Sequence, residues 1–382
     1  SPNTEASLLY TSGTTGNPKG CILSHEYEIN AGINYIIKKG LISIKECNEK
    51  IYNCLPVHHV NSGVLSFYAA MLSGNTQIQA KRFSASRFWK EIKYSEATIF
   101  HYLGIMAPLL LNKKKHKIEQ ENCLRIGVGA GIEPNLHKIF EDRFKVPMIE
   151  LWGMTEMVRC IFDYKESRIV GNRCFGIADN NLKIKITGKN DKNSIYKEGE
   201  FLIKFNGKNI KRGFFSGYLK DKKATNYSWR NGWFHTGDIV KIDKNKRLFF
   251  VDRKKNIIRR SGENISAAEV EANLLALKMI DNCAVIPYQH KIYDEEVFAF
   301  VKLNEKQNKS KRMAIKIIDG LSKNLTYYKL PCFIQFVDNI PITSTQKTKK
   351  SVLKEKINMK SKFFYNLESN KRHKKLLSNT NS

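Results

Sequence analysis

The sequence predicts a large α/β domain, truncated at its N-terminus, followed by a small α+β domain. Up to about Lys254, strand-like and helix-like runs alternate around loops rich in Gly, Thr and acidic residues, the pattern of a sheet layered with helices. Beyond that point a capped helix beginning at Ser266 and the strand-like runs CAVIPY and VFAFVKL suffice for a second, smaller core. The chain opens on Ser1, not Met, and meets its first glycine-rich loop almost at once, which leaves little sheet ahead of that loop and reads as a fragment. The expected domains are 1–254, 255–358 and a basic, disordered tail over 359–382.

The first element is the strand SLLY, Ser7 to Tyr10, followed by TSGTTGNPKG and then a helical period after Ser24. This places the loop at a strand-to-helix turn. Its glycines Gly13 and Gly16 let backbone N–H groups converge. Thr11, Ser12, Thr14 and Thr15 add hydroxyl donors, and Lys19 adds a point charge, so the stretch predicts a phosphate cradle. The spacing is not G-x-x-x-x-G-K-[ST]. A plain Gly/Thr surface turn is the alternative, and the ordered set of donors weighs against it.

Farther on, KVPMIE reads as a strand broken by glycine in ELWGMTE, Glu150 to Glu156. There Trp152 offers a flat face for a base, Thr155 a hydroxyl for a phosphate and Glu156 a carboxylate for Mg²⁺. GWFHTGDIV places Thr236, Gly237 and Asp238 in a turn between strand-like runs, where a carboxylate could accept both hydroxyls of a ribose. In FFVDRKKNIIRRSGENISAAEVE a strand ends at Asp252, a charged turn follows, and Ser266 with Glu269 forms a capping box. PITSTQKTKKSVLK sets Lys347 in a loop ahead of a basic helix.

Whole-chain properties narrow the class. A chain of 382 residues with 42% hydrophobic content can bury a large core. Eight cysteines without a C-x-x-C pair or metal-ligand spacing predict reduced thiols, no zinc and a cytoplasmic setting. The longest apolar run, near Val64 to Leu72, is too short to span a bilayer. The formal charge of +29 would suit a nucleic-acid partner, but the lysines are spread among Asn and Ile with no nucleic-acid motif, so no such partner is expected.

The order of these motifs resembles the AMP-forming adenylating enzymes, which include acyl-CoA synthetases, luciferases and the adenylation domains of peptide synthetases. The likeness runs from Ser7 to about Leu353. It implies that TSGTTGNPKG is the phosphate loop, WGMTE with Gly153 the adenine and Mg²⁺ motif, and HTGD the ribose motif. It further implies that Gly129, Ala130 and Gly131 in GVGAGIEP flank adenine, that His59 in LPVHHVNSG lies near the acyl carbonyl, and that Arg253 contacts ribose. Lys255 matches the hinge of a mobile small domain, Arg259 a residue turned toward the site for thiolation, and Lys347 the adenylation lysine. Two positions depart from the family pattern: Gln346 stands where glycine precedes the lysine, and Trp152 where tyrosine stacks on adenine.

The implied chemistry uses ATP, Mg²⁺, coenzyme A and a carboxylic acid, through an acyl-adenylate to a thioester, and is compatible with an oligomer. SASRFWKEIKYSEATIF and the segment around Arg259 look most like crotonobetaine/carnitine CoA ligases. Phe100, Tyr102 and Trp152 are then candidates to face a quaternary ammonium. Another short- or medium-chain acyl-CoA synthetase, or an inactive nucleotide-binding fragment, is the alternative.

Overall fold

The computed structural model describes residues 1–11, 18–165, 167–188, 196–261, 263–342 and 348–370. It comprises a large α/β unit, Ser1–Phe250, and a small unit, Val251–Ser382. Among the described residues no helix is long and apolar enough to cross a membrane.

In the large unit, β1 (Glu5–Thr11) pairs antiparallel with β2 (Lys19–Ser24), and α1 (His25–Ile36) starts directly after it with Ser24 accepting the Tyr27 N–H at 3.2 Å. The glycine-rich stretch therefore joins the two strands of a hairpin. This corrects the expected strand-to-helix turn: Cys21 and Leu23 alternate inward along KGCILS, so the run after the loop is a half-buried strand before the helix begins.

The main sheet is built from β3 (Lys50–Asn53), β4 (Thr76–Gln79), β5 (Ile99–Leu103), β6 (Ile126–Ala130), β7 (Met148–Met154) and β8 (Met157–Phe162). Its order is β4-β3-β5-β6-β7-β8, parallel through β7, with β8 antiparallel at the edge. Strands such as IFHYL are buried on both faces, as a parallel sheet covered by helices requires. Ile51, Ile99, Ile126 and Ile149 pack with Tyr27, Ala31 and Tyr35 of α1 on one face. On the other face Tyr52, Phe100, Tyr102 and Met148 pack with Phe88, Trp89 and Ile92 of Phe88–Ser95, Leu110 of Met106–Leu111 and Phe140 of Pro134–Phe144. The apolar run near Val64 divides into a π-helical segment, Val60–Ser66, and α2 (Phe67–Leu72).

A further sheet comprises β9 (Cys174–Gly176), β10 (Leu182–Ile186) and β11 (Lys197–Phe205), while β12 (Gly217–Tyr218) adds to β2. It is completed by β13 (Trp229–Arg230), β14 (Trp233–Ile242) and β15 (Leu248–Arg253) in the order β10-β11-β14-β15-β9, with β13 on β14. Two expected turns are corrected here. Gly153 lies within β7, where a Cβ would come within 2.6 Å of Cys160 Sγ on β8, so the glycine serves close strand approach and does not end the strand. Likewise Thr236, Gly237 and Asp238 lie within β14. There the register against β11 shifts, and Gly237 at φ +70° supplies a bulge.

In the small unit, β16 (Ile257–Arg260) and β17 (Glu263–Ser266) form a hairpin ahead of Ala267–Leu275. Half of the predicted capping box is present: the Glu269 N–H donates to Ser266 Oγ at 3.2 Å, but the Glu269 carboxylate accepts from Lys329 Nζ at 2.7 and 2.9 Å, and no return bond to the Ser266 N–H is made among the described residues. β18 (Ile280–His290) and β19 (Asp294–Leu303) carry the two apolar runs, and β20 (Phe333–Phe336) lies parallel to β19. The tail expected from residue 359 is corrected through residue 370: β21 (Phe364–Asn366) pairs with β20 and Leu367 is fully buried. The aromatic run FFY gives that stretch an apolar face to bury.

Candidate active site

Strand β7 and the turn that follows it hold much of the large unit's site together. Its first polar residue is Glu150, buried, whose Oε2 accepts the Gly131 N–H at 3.0 Å while Oε1 accepts the Ile132 N–H at 3.0 Å and the Tyr102 hydroxyl at 2.7 Å. Burial pushes this carboxyl above its ordinary range, against the pull of those three donors. The Gly129–Gly131 loop at the end of β6 is thus fastened to β7 by its backbone.

Two residues on, Trp152 donates from Nε1 to Asp238 Oδ2 at 2.9 Å, so the predicted adenine and ribose residues meet directly. Trp152 is only 4% exposed, with its ring edge-on to Phe201 at 4.8 Å. Asp238 is buried, and its N–H donates to Thr236 Oγ1 at 3.1 Å.

At the turn, the Thr155 carbonyl accepts the Tyr27 hydroxyl of α1 at 2.8 Å. Glu156 Oε1 accepts the Tyr218 hydroxyl at 2.7 Å, and Lys19 Nζ sits 5.1 Å from the centroid of the same tyrosine ring. Tyr218 thereby joins Lys19 to the acid of WGMTE. Burial first, and the Glu156 carboxylate next, push the Tyr218 phenol and the neighbouring Cys21 thiol well up, so both stay protonated. Thr11 Oγ1 lies 3.5 Å from the Lys19 carbonyl. Ser12, Gly13, Thr14, Thr15, Gly16, Gln346 and Lys347 lie outside the described residues.

Glu156 is 7% exposed, and its Oε2 makes no hydrogen bond among the described residues. A carboxylate with one oxygen not engaged among the described residues suits Mg²⁺, which is commonly held by one or two carboxylates together with phosphates and needs no protein cage. Among the described residues no group of three His, Cys, Asp or Glu is gathered for a metal of its own.

His59 is half-buried and precedes the π-helical segment, its carbonyl accepting the Gly63 N–H at 2.8 Å and its ring 4.7 Å from that of His58. Phe100 and Tyr102, candidates for a quaternary ammonium, are fully buried in the core, Tyr102 with its hydroxyl on Glu150. They offer no face to a ligand.

In the small unit, Asp252 fixes the start of the charged turn. Its Oδ1 accepts the Arg253 N–H at 2.6 Å and Asn256 Nδ2 at 3.1 Å, and its Oδ2 accepts Ser266 Oγ at 3.0 Å and the Ala268 N–H at 2.9 Å. Lys254 and Lys255 are exposed on the following 3₁₀ turn. Partial burial of its ammonium first, then Arg253, Lys350 and Lys354, hold Lys255 below the usual lysine value. Arg259 is exposed, its N–H donating to Glu295 Oε2 at 2.8 Å.

Sequence reasoning gave no role to Tyr218, Tyr27 or Glu150. Glu150 carried a signal, as a single acid inside the otherwise apolar run MIELW. Tyr218 carried none that a sequence can show, because its partner is 62 residues away.

Residues 1–219 match the family described as AMP-binding enzyme, and residues 269–347 the AMP-binding enzyme C-terminal domain. The chain belongs to the AMP-binding enzyme family. Among its relatives, the crotonobetaine/carnitine–CoA ligase of Escherichia coli is 27% identical over 88% of this chain and 64% of its own length. The very long-chain fatty acid transport protein of Saccharomyces cerevisiae is 28% identical over 91% and 56%. The chain therefore spans less than two thirds of these AMP-binding relatives. Two solved structures share the fold, each with a TM-score of 0.76 over 93% of this chain. ATP-bound MatB from Rhodopseudomonas palustris is 23% identical, covering 69% of that chain, and o-succinylbenzoate CoA synthetase from Bacillus subtilis with its acyl-adenylate is 24% identical, covering 70%.

Proposed function

We propose that the protein activates a carboxylic acid with ATP, forming an acyl-adenylate and pyrophosphate, and passes the acyl group to the thiol of coenzyme A. The observation that carries this reading is the convergence on β7: Glu150 holds the Gly129–Gly131 loop, Trp152 meets Asp238, and Glu156 is joined through Tyr218 to Lys19. Segments of four predicted nucleotide motifs meet here around the C-terminal ends of the parallel strands β6 and β7, the end at which open α/β sheets bind ligands.

The carboxylate attacks the α-phosphorus, and the pair of electrons of the broken P–O bond leaves with pyrophosphate. The thiol then attacks the acyl carbonyl and AMP departs. Charge grows on phosphate oxygens in the first step, and Lys19, Lys347 and the Thr155 hydroxyl are the groups assigned to meet it. Mg²⁺ held by Glu156 would neutralise further phosphate charge. His59 is assigned to the acyl side. For the second step Lys255 serves as hinge and Arg259 replaces Lys347, while Arg253 attends the ribose.

Crotonobetaine and carnitine, the acids in the names of several relatives, are the first substrates we assign, followed by short- and medium-chain acids. The cytoplasm, whose reducing poise suits eight free thiols, is the assigned compartment. The test is pyrophosphate release from ATP across a panel of these acids, with thioester formation followed on adding coenzyme A. Acid-dependent release that disappears in Lys347→Ala supports the reading. AMP binding without release for any acid would instead make the chain a nucleotide-binding protein.

A further inference from the structure

Strand β5 carries two adjacent polar residues, His101 and Tyr102, both fully buried in a parallel sheet whose other buried polar side chains include Asn53 of β3 and Glu150 of β7. Buried polar groups of this kind are costly unless every one is paired, and each of these two is paired in a different direction.

On the α1 face, His101 Nδ1 lies 2.8 Å from Asn61 Oδ1 and Nε2 lies 3.2 Å from the Tyr35 hydroxyl. The hydrogen positions follow from a backbone group. The Leu55 N–H donates to Asn53 Oδ1 at 2.9 Å, which turns Asn53 Nδ2 toward Asn61 Oδ1 at 3.1 Å and Ser66 Oγ at 2.9 Å. Asn61 therefore presents its oxygen, His101 donates from Nδ1, and the bare Nε2 accepts from Tyr35. Burial holds the ring's pKa down at about 3, so this neutral tautomer persists. Asn61 and Ser66 belong to the π-helical segment, and Ser62 of the same segment donates to Gln79 Oε1 at 2.7 Å. Three strands thus grip this one segment by polar side chains. His59 immediately precedes it.

On the opposite face the Tyr102 hydroxyl donates to Glu150, which in turn accepts the N–H groups of Gly131 and Ile132. Just past the strand, the Gly104 N–H donates to the Ala130 carbonyl at 2.9 Å. Successive residues of a strand point to opposite faces, so one peptide unit of β5 separates two anchoring systems.

We propose that His101 and Tyr102 are positioning residues that independently set the two sides of the site, His101 placing the His59-bearing π-helical segment and Tyr102 placing the loop Gly129–Ile132. The inference rests on the reading that His59 serves the acyl side and Gly129–Gly131 the nucleotide side. Neither side chain touches a reactant in this account, and each acts through the segment it holds.

The test is a double dissociation. Amide hydrogen exchange of the full chain is followed together with AMP affinity by calorimetry and the KM for the acid in pyrophosphate release. His101→Phe removes two buried hydrogen bonds, to Asn61 and to Tyr35, and should speed exchange over residues 58–66 at least about tenfold and raise the acid KM, leaving the AMP Kd within about twofold. Tyr102→Phe should speed exchange at residues 131–132 and weaken AMP roughly tenfold, leaving the acid KM within about twofold.

The amide nitrogen of asparagine falls near the position of imidazole Nδ1, so His101→Asn should restore the acid side better than His101→Phe. A role in filling volume would give the reverse order. Should His101→Phe fail to fold, Asn61→Ala breaks the same hydrogen bond from its half-exposed end, with the same expectation. The inference is overturned if either variant disturbs both sides alike, if exchange over 58–66 is unchanged, or if Phe substitutes as well as Asn. If the wild type releases no pyrophosphate with any acid, the reaction reading fails, while exchange and AMP binding still decide whether the two anchors are separate.

Discussion

Strand β7 and the charged turn Arg253–Arg259 both carry motif residues, yet they are built on opposite principles. In β7 the polar side chains are buried and paired: Glu150 with three donors, Trp152 with Asp238, and Glu156, at the turn, with Tyr218. Lys254 and Lys255 of the 3₁₀ turn and Arg259 of the following strand β16 reach solvent, and Lys255 has like charges around it. A buried hydrogen-bonded network resists change, whereas Lys255, exposed on a short 3₁₀ turn among like charges, is easier to move. The polar groups of β7 are therefore held in place by the large unit's core, and the exposed charges belong to the small unit.

The largest effect should come from breaking the buried side of that contrast. Glu150→Leu leaves the buried Ile132 N–H without its acceptor, removes the acceptor of the more exposed Gly131 N–H, and leaves the Tyr102 hydroxyl only the Ile149 carbonyl at 3.3 Å. A loss of on the order of 3 kcal/mol in stability is expected from these broken buried hydrogen bonds, measured by urea unfolding, with AMP binding weakened. Glu150→Gln keeps one acceptor oxygen and removes a carboxyl that burial already disfavours as an anion, so it should cost far less. Equal costs for the two variants would mean that the loop is held by something other than this carboxylate.

A middling effect is expected at the edge of the network. Tyr218→Phe keeps the ring beneath Lys19 and removes only the hydroxyl on Glu156. The loss of roughly 1 kcal/mol from one hydrogen bond should weaken MgATP about fivefold, with AMP little changed, because AMP lacks the phosphates that a metal on Glu156 would share. Parallel titrations of the two nucleotides check this. An equal loss for both would make the contact one of packing.

The same contrast explains what the sequence revealed. The alternation of strand-like and helix-like runs disclosed the α/β layering, and Ser266 with Glu269 disclosed a helix start, because both signals are local. Loop geometry was misread wherever glycine serves strand approach or a bulge. Gly153 faces Cys160, and Gly237 at φ +70° bends β14 without ending it, and neither reason is visible without the partner strand. The motif residues could be named from their own segments. Their partners could not: Tyr218 and Glu156 are 62 residues apart, and Trp152 and Asp238 are 86 apart. The residues from 359 were read as tail from their lysines, while FFY and Leu367 supplied a buried edge strand.

The smallest effect should come from the exposed side, at Lys255. Partial burial and the cations Arg253, Lys350 and Lys354 lower its pKa from the usual 10.5, so the folded unit releases this proton at a lower pH than the unfolded chain does. Over the window between the folded value and 10.5 the unfolded state binds more protons, and stability rises with pH there. Below that window the charged ammonium is a standing cost to the folded unit. Lys255→Met keeps the stem and removes the charge. It should be slightly stabilising near neutrality and should lose the alkaline gain seen in the wild type, as read from exchange protection of β18 and β19 at neutral and alkaline pH. If the substitution destabilises the unit at neutral pH, the ammonium has an acceptor that outweighs its three cationic neighbours. The turn would then be as firmly paired as β7, and the contrast between the two regions would fall.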